Sequence, residues 1–401
     1  KSRKFLISSN IKESKEKEIE VRPEFFMIDM TNKCNLRCNY CLRNLEQEEN
    51  CISTEKLRDI GKFITTYCDE YKIANISVQA WGGEPLLEKN KIIALTKFIT
   101  PQKTKVHYSI ETNATLLTND VIEELYKNHI GIGISIDGDR KCHDLQRTFV
   151  SGKGSYDTVK KNLLQAQRYY KNKIGTITTI TKQTAVHIEK IIEHLVLDLH
   201  ISNIKLNFVH ASTYTHGQNQ CLNTQEIADT ELRILYKIIE LQERGYDVME
   251  HNIFIKLKNL LFREYADICL SCGCCGGEKM IVFDMDGNIY PCELTDDASF
   301  VIGSIYKKES LIEQIKMTID KDKAFFKMKK AVECEKCYWK FFCRGGCTVR
   351  ALSEKRQMEV IDIDHIECAI NQVLYPALME LVLRKPHIVN QMLGEDLLVD
   401  E

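Results

Sequence analysis

The chain has 401 residues and a net charge of −2, and 44% of its residues are hydrophobic. This length predicts two or three domains with a sizeable core, and the near-neutral charge gives no reason to expect a nucleic-acid partner. No run approaches ~18 consecutive apolar residues and the charged start lacks a secretion signal, so we predict neither a membrane span nor export. Seventeen cysteines in a long chain without an export signal favour metal or redox chemistry in a reducing, cytoplasmic setting over disulfides.

Residues 1–22 are charged and are predicted to form a loose arm, after which apolar runs alternate with amphipathic stretches. The predicted strands are 25–30, 76–80, 106–110, 131–136, 176–181 and 204–209. The predicted helices are 53–70 with Ser53 as its cap, 118–129 with Thr118 or Asn119, 156–171 with Ser155, and 185–199. This alternation predicts an α/β fold in which residues 23–215 form a parallel, partial (β/α)6 TIM-type barrel. The active site of such a fold lies at the carboxyl ends of the strands.

The remainder of the chain is predicted to form three further parts. Residues 216–267 are helical and charged, which is typical of a bridge between domains. Residues 268–370 are rich in cysteine and glycine, and this shift in composition predicts a second domain folded around metal. Residues 371–401 contain a closing C-terminal helix.

The first cysteine cluster follows the first predicted strand. Cys34, Cys38 and Cys41 have the spacing C-x3-C-x2-C. Three thiolates on one loop can hold three irons of a 4Fe-4S cluster, which leaves one iron open to a chelating ligand such as S-adenosyl-L-methionine. One electron passed into its sulfonium group would give a carbon radical. The alternative is a structural zinc loop, which needs a fourth ligand.

With Tyr40 before its last cysteine, this motif resembles the signature of the radical S-adenosylmethionine (radical SAM) superfamily. The resemblance implies that three later strand ends contact the cofactor. The residues implied to hold its methionine amino group are Gly82, Gly83, Glu84 and Pro85. The residues implied to bind its ribose or carboxylate are Thr112, Asn113, Ser135, Asp137 and Arg147. The alternative for each segment is an ordinary turn or solvated loop.

The later cysteines resemble the SPASM domain, an auxiliary-cluster domain of the same superfamily. Their spacing is Cys275-x11-Gly287-x4-Cys292, then Cys334-x2-Cys337-x5-Cys343-x3-Cys347, then Cys368. The resemblance implies two auxiliary 4Fe-4S clusters. The first would use Cys275, Cys292, Cys347 and Cys269, with Cys272, Cys274 or an open iron as alternatives to Cys269. The second would use Cys334, Cys337, Cys343 and Cys368. Two structural zinc sites are the other interpretation.

The resemblance implies a peptide- or protein-modifying enzyme. It would form a 5′-deoxyadenosyl radical, abstract hydrogen from a ribosomal precursor peptide and install a thioether or carbon–carbon cross-link. The alternative is an anaerobic sulfatase-maturating enzyme that forms formylglycine from Cys or Ser. In such enzymes an aspartate base stands where this chain has Glu293, which could equally be a solvated loop residue.

The expected partners are a peptide or protein substrate and a low-potential electron donor similar to flavodoxin or ferredoxin. Only about 33 residues precede Cys34, too few for a leader-binding domain, so a partner or the barrel itself would hold a leader. A third hypothesis is a non-catalytic binding module stabilised by zinc.

Overall fold

The structure, a computed structural model, describes residues 21–43, 49–209, 220–262, 273–295, 298–320, 332–353 and 363–394. Most of the predicted arm, as well as Cys269 and Cys272, lies outside these ranges. The strands of the described residues are β1 (Phe25–Thr31), β2 (Leu36–Cys38), β3 (Asn75–Gly82), β4 (Lys105–Thr112), β5 (Ile130–Ser135), β6 (Arg147–Phe149), β7 (Gly175–Ile180), β8 (Asn203–Phe208), β9 (Met249–Glu250), β10 (Met280–Phe283), β11 (Asn288–Tyr290) and β12 (Gly303–Ser304).

The described strands build one large sheet and one small ribbon. The large sheet has the order β12-β11-β10-β1-β3-β4-β5-β7-β8-β9, and β2 pairs with β6 in the ribbon. Every pairing from β10 to β9 is parallel, whereas β11 and β12 add antiparallel strands at one edge. The six predicted strands lie side by side in chain order. The prediction of an α/β fold with a parallel, partial barrel is confirmed.

Helices cover the outside of this sheet. In the described part of the chain they are α1 (Thr54–Glu70), α2 (Lys89–Phe98), α3 (Asn119–Lys127), α4 (Arg140–Gln146), α5 (Tyr156–Tyr170), α6 (Lys182–Ala185), α7 (Ile188–Glu193), α8 (Thr224–Glu243), α9 (His251–Phe262), α10 (Leu311–Asp320), α11 (Val332–Glu335), α12 (Lys340–Cys343), α13 (Thr348–Ser353), α14 (His365–Arg384) and α15 (Pro386–Leu393). Helix α1 begins as predicted, because the Ser53 hydroxyl accepts a hydrogen bond from the Lys56 amide at 3.1 Å.

Three helices differ in detail from the prediction. Ser155 and Thr118 occupy N-cap positions, but neither side chain makes a capping hydrogen bond. The Ser155 hydroxyl instead donates to the Arg147 carbonyl at 2.8 Å, so a tertiary contact takes the place of the cap. The predicted helix 185–199 is broken into α6, α7 and a π-helical turn at His194–Asp198.

The cysteine-rich region joins the barrel through the sheet itself. Strand β10 pairs in parallel with β1, so it extends the sheet on the side of the first strand. At the other edge, the short strand β9 separates α8 from α9 and pairs with β8. Strands on both sides of the predicted domain boundaries at 215 and 267 therefore belong to one continuous sheet. The division into domains stays a prediction.

Helix α14 closes the molecule against α8. By length and composition it is apolar enough to cross a membrane, a test that the core helix of a soluble protein also passes. Leu374, Tyr375 and Leu378 are fully buried in the protein core, and Glu367 pairs with Lys256 of α9. The single closing helix that we predicted ends at Arg384, and α15 begins anew at Pro386, which lacks the amide needed to continue a helix.

Candidate active site

The three cysteines of the first cluster lie on the loop after β1 and face one cavity of about 510 Å³ at the carboxyl ends of the strands. The ribbon formed by β2 and β6 shapes this loop, and it places Cys38 opposite Arg147. Arg147 Nη1 lies 3.9 Å from the Cys38 sulfur, and Asn113 Nδ2 lies 3.9 Å from the Cys34 sulfur. The loop therefore presents its thiols to the cavity with nitrogen donors beside two of them.

Burial disfavours the thiolate forms in this loop. Desolvation raises the pKa of the Cys34 thiol and raises that of Cys38 to about 12, although Arg147 acts in the opposite direction on both. Among the described residues no three His, Cys, Asp or Glu side chains could hold one metal ion. Three thiols spread along the wall of a cavity suit the separate iron corners of a cluster, whose positive charge would compensate the thiolates. The donor set thus fits a 4Fe-4S cluster.

The two glycines after β3 pack against the cysteine loop. A Cβ atom on Gly82 would lie 2.3 Å from the Thr31 carbonyl oxygen, and one on Gly83 would lie 2.2 Å from that of Lys33. The Gly83 amide donates to Thr31 at 2.7 Å, and the Glu84 amide donates to Lys33 at 2.8 Å. The glycines therefore allow the β3 end to approach the cysteine loop closely, and their role in holding the methionine amino group stays a prediction.

Glu84 connects two strand ends beneath the cavity. Its carboxylate accepts hydrogen bonds from the Thr112 hydroxyl at 2.7 Å, the Asn113 amide at 2.8 Å and the Leu86 amide at 3.0 Å. Burial raises the pKa of Glu84 in spite of these bonds. Glu84, Thr112 and Asn113 all line the cavity, whereas Pro85 does not. The carboxylate is thus held rigidly where an ammonium group could meet it.

Asp137 lies behind the cavity wall. It is fully buried and accepts hydrogen bonds from Tyr40 at 2.6 Å and from Gln146 and Arg147 at 2.9 Å each. Its second oxygen accepts from the Thr179 amide at 3.0 Å. Asp137 does not line the cavity, but Tyr40 and Arg147 do. In this structure the carboxylate positions two residues of the wall, and its contact with the ribose stays a prediction.

Ser135 lies on the cavity wall at the end of β5. The neighbouring His143 does not reach the cavity, and its ring contacts the Asp137 amide and the Ser155 hydroxyl. Burial lowers the pKa of His143 to about 4, so the ring is neutral at physiological pH. This part of the wall thus presents the Ser135 hydroxyl to the cavity, and the neutral His143 ring lies behind it.

The same cavity extends to three cysteines of the second field. Cys274, Cys292 and Cys347 line it, and Cys274 acts electrostatically on Cys347. Cys275, which we predicted as a ligand, does not line the cavity, and its carbonyl caps the turn that leads into β10. Glu293 lines the cavity as well, and its carboxylate accepts from the Cys292 thiol at 3.2 Å.

The four cysteines predicted to bind the second auxiliary cluster surround a separate small cavity. Cys334, Cys337, Cys343 and Cys368 line it together, although they come from four places in the chain between α11 and α14. Burial raises the pKa of Cys343 to about 11. Trp339 also lines this cavity and stacks on Tyr375, with ring centroids 5.3 Å apart. Four thiols around one space fit the donor set of a second auxiliary cluster.

Comparison with known proteins identifies the family. Residues 28–195 match the Radical SAM superfamily. These residues therefore contain a radical SAM domain. This part of the radical SAM enzyme runs from β1 into the π-helical turn and includes the cysteine loop. S-adenosyl-L-methionine and 4Fe-4S clusters are accordingly its cofactors.

Relatives of this radical SAM enzyme extend the likeness to most of the chain. A cysteine-type anaerobic sulfatase-maturating enzyme of Clostridium novyi is 26% identical over 327 residues, 79% of this chain and 85% of that protein. The radical SAM cyclopropyl synthase TigE of Paramaledivibacter caminithermalis is 23% identical over 373 residues, 88% of this chain and 73% of that protein. The structure of native anSMEcpe with bound AdoMet and Cp18Cys peptide shares the fold, with a TM-score of 0.76 and 20% identity over 90% of this chain and 99% of that one.

Sequence reasoning missed the charged residues that close the cavity of this radical SAM enzyme. They are Lys205 of β8, Glu231 of α8, Lys256 of α9, Arg350 of α13 and Glu367 of α14. A pattern in the sequence could have indicated Glu231, because it lies on the apolar stripe that Ile227, Ile234 and Ile238 form on α8. A charged residue on the buried face of a helix calls for a partner or a ligand.

Proposed function

We propose that this radical SAM enzyme oxidises a side chain of a peptide or protein and installs a thioether or carbon–carbon cross-link in a ribosomally made precursor. The observation that carries the proposal is the shared cavity, in which the Cys34–Cys41 loop faces the thiols of Cys274, Cys292 and Cys347. When bound, the cofactors supply a carbon radical that takes a hydrogen atom from the substrate and an iron–sulfur centre that takes up a second electron. A substrate side chain that lies between the Cys34–Cys41 loop and the thiols of Cys274, Cys292 and Cys347 would be close both to the group that takes the hydrogen atom and to the group that takes the electron.

The residues of the wall would bind the cofactor from three directions. Glu84 would accept the amino group, because its existing hydrogen bonds fix the carboxylate at the cavity. Ser135 and Asn113 offer polar atoms from two neighbouring strand ends. Arg147, held by Asp137, would place a positive charge beside the cysteine loop. Each of these roles is a positioning or binding role that the side chain can fill from its present place.

The two auxiliary clusters would have different ligand sets. Cys334, Cys337, Cys343 and Cys368 would hold one of them in the small cavity. Cys292 and Cys347, with either Cys274 or Cys275 and a further cysteine such as Cys269, would hold the other beside the large cavity.

Glu293 would accept the proton that the oxidised substrate loses. It is partly exposed and lies on the cavity wall next to Cys292. Its carboxylate accepts the Cys292 thiol hydrogen, which cluster ligation would remove. The carboxylate would then be available to a substrate thiol, hydroxyl or carbon-bound proton.

A second candidate function is formation of formylglycine from Cys or Ser. It is favoured by the sulfatase-maturating relative, whose similarity covers 79% of this chain, and by the carboxylate of Glu293 on the cavity wall. The chemistry of the site is shared, because both reactions begin with loss of hydrogen from a side chain. In either case we propose a cytoplasmic, low-oxygen setting, a flavodoxin- or ferredoxin-like electron donor and, for a leader peptide, a leader-binding partner.

Product mass tests the proposal and separates the two candidates. The iron-loaded enzyme is incubated anaerobically with S-adenosyl-L-methionine, a reductant and cysteine-containing peptides that lack serine, because formylglycine from serine would also lose only two hydrogens. Loss of two hydrogens without other change indicates a cross-link, whereas replacement of sulfur by oxygen with loss of two hydrogens indicates formylglycine. The Cys38→Ala variant is the control and should form neither product. Absence of 5′-deoxyadenosine from the native enzyme, or turnover that survives in Cys38→Ala, would overturn the proposal.

A further inference from the structure

Glu231 is a buried carboxyl group on the wall of the large cavity, and the proposed chemistry does not use it. Glu231 lies on the inner face of α8 and is only 4% exposed, yet it lines the cavity that the cysteine loop faces. It makes no hydrogen bond or ion pair with any residue in the described part of the chain. A buried polar side chain without a partner is costly, unless a ligand supplies the partner.

The carboxyl groups around Glu231 differ from it in this respect. Glu250 accepts hydrogen bonds from two backbone amides, at 3.0 and 2.8 Å. Glu367 accepts from Lys256, from Asn371 at 3.0 Å and from the guanidinium of α13. Both neighbours are therefore satisfied within the protein. Glu231 is the carboxyl of this group whose hydrogen-bonding capacity points into the open space.

The charges facing Glu231 favour a cation over a neutral ligand. Apart from burial, the groups that act on Glu231 are, in order of size, Glu250, Glu367 and Lys256. The ammonium is already paired with Glu367. At Glu231 each of the two neighbouring carboxyls acts more strongly than the ammonium, so an incoming positive charge would be attracted to this point of the wall.

We propose that Glu231 receives a cationic group of the peptide substrate, an ammonium or guanidinium, and thereby determines which substrates bind. The inference deepens the proposed function, because it takes a peptide as the occupant of the cavity. A long flexible side chain such as lysine could reach Glu231 from the cavity while the residue to be oxidised remains near the cysteine loop. Glu231 is a specificity-determining residue in this proposal and plays no part in bond breaking.

The protonation of Glu231 supports this assignment. Burial and the two neighbouring carboxyls raise its pKa to about 8, so the carboxyl is mostly neutral at physiological pH while no ligand is bound. A cation next to it would favour the ionised form, and the proton would leave to solvent as the ion pair forms. The cation therefore pairs with a carboxylate that has no partner among the described residues, which gives a strong contact.

Paired peptides test the proposal on the iron-loaded enzyme with S-adenosyl-L-methionine bound, under anaerobic conditions. Each fluorescent peptide has a central cysteine and one lysine, placed one to four residues before or after it. A matched peptide has norleucine in place of the lysine. Fluorescence anisotropy gives Kd, and we expect at least one lysine peptide to bind about tenfold or more tightly than its norleucine partner.

Two variants with the same change of charge show whether Glu231 is responsible. Glu231→Gln should reduce the lysine preference to within about threefold. Asp229→Asn is the matched control, since Asp229 lies exposed on the same helix, and it should keep the full preference. Calorimetry of the unaltered enzyme in buffers of different ionisation enthalpy adds a test that needs no variant. Binding of the preferred lysine peptide should release protons, and binding of its norleucine partner should release none.

The outcomes separate this proposal from the proposed function. It is overturned if no lysine peptide binds more tightly than its norleucine partner, if the preference survives in Glu231→Gln, or if binding releases no proton. Product masses are measured on the same samples. Oxidised product without a lysine preference leaves the proposed function standing and removes the role of Glu231. A lysine preference that Glu231→Gln abolishes, without oxidised product from any peptide, supports the role of Glu231 and counts against the proposed function.

Discussion

The Tyr40 hydroxyl donates a hydrogen bond of 2.6 Å to the Asp137 carboxylate, and this bond ties the cysteine loop to the end of β5, 97 residues later in the chain. Asp137 is fully buried and also holds the guanidinium of Arg147 at 2.9 Å. The cation in turn lies over the Tyr40 ring, 5.4 Å from its centroid. The three side chains form a closed unit behind the loop, so the geometry of the thiols depends on a residue that does not touch the cavity.

Replacing Asp137 with Asn should be strongly destabilising. The change leaves the buried Arg147 guanidinium without its counter-charge, and breaking a buried pair costs about 3–5 kcal/mol. We expect a lower free energy of unfolding in denaturant titrations and a lower iron content after reconstitution. Tyr40→Phe is the matched control, because it removes one hydrogen bond to the same carboxylate and should cost only about 1 kcal/mol. Equal losses in the two variants would contradict the positioning role of Asp137.

Adding a methyl group at Gly83 should disturb the cofactor site. A Cβ atom there would lie 2.2 Å from the Lys33 carbonyl oxygen, so the cysteine loop must move. We expect Gly83→Ala to weaken binding of S-adenosyl-L-methionine at least about tenfold and to destabilise the protein by roughly 1–3 kcal/mol. Gly175→Ala is the control, since a Cβ atom on Gly175 meets nothing within 4 Å. Unchanged cofactor affinity in Gly83→Ala, measured by calorimetry, would count against this packing argument.

Loss of a thiol from the small cavity should remove one cluster. Cys337 shares this cavity with three other cysteines. Cys337→Ser should therefore lower the iron content by roughly four ions per chain, while the cluster that binds S-adenosyl-L-methionine remains. Cys68→Ala is the control, because Cys68 is buried among apolar side chains of α1 and should not bind iron. Equal iron content in Cys337→Ser and the unaltered enzyme would exclude the assigned ligand set.

The cavity wall distinguishes the adjacent thiols of Cys274 and Cys275. Only Cys274 lines the large cavity together with Cys292 and Cys347. We therefore expect Cys274→Ser to lose more iron, and more of the corresponding electron paramagnetic resonance signal, than Cys275→Ser. The two variants are each other's control, because they make the same change one residue apart. The opposite ranking would restore the spacing-based prediction that Cys275 is the ligand.

The stability of the enzyme should depend on pH through Glu231. Its pKa is raised from 4.5 to about 8 in the folded protein, by burial first and then by Glu250 and Glu367. Between these pH values the unfolded chain loses a proton that the folded protein retains, so the free energy of unfolding falls as pH rises. Glu231→Gln lacks this titration.

Melting temperatures of the iron-loaded proteins from about pH 5.5 to about pH 8.5 measure this effect. The unaltered enzyme should lose more stability over this range than Glu231→Gln, and the difference between the two should be largest at the alkaline end. Asp229→Asn should follow the unaltered enzyme, since Asp229 is exposed on α8. Parallel curves for Glu231→Gln and the unaltered enzyme would show that Glu231 has an ordinary pKa.

Short patterns in the sequence were sufficient to predict the residues in the central part of the site. The spacing of Cys34, Cys38 and Cys41 lies within eight residues of chain, so a single loop brings the thiols together whatever the rest of the fold does. The glycines and the carboxylate after β3 were found in the same way, because polar residues just past a buried strand lie at the active edge of a parallel sheet. Capping by Ser155 was mispredicted because its hydroxyl has a tertiary partner, the Arg147 carbonyl.

The amino-acid sequence by itself determined the α/β barrel and the cysteine loop, because these depend on hydrophobic period and on spacing along the chain. Only the tertiary structure decided that β10 lies beside β1, that Cys274 and not Cys275 lines the large cavity, and that Glu231 lies on its wall without a partner among the residues that the structure describes. Burial and charge balance at a point are set by residues from distant helices and strands, here α8, α9 and α14. A pattern of neighbouring residues in the sequence does not show how those helices and strands pack against one another.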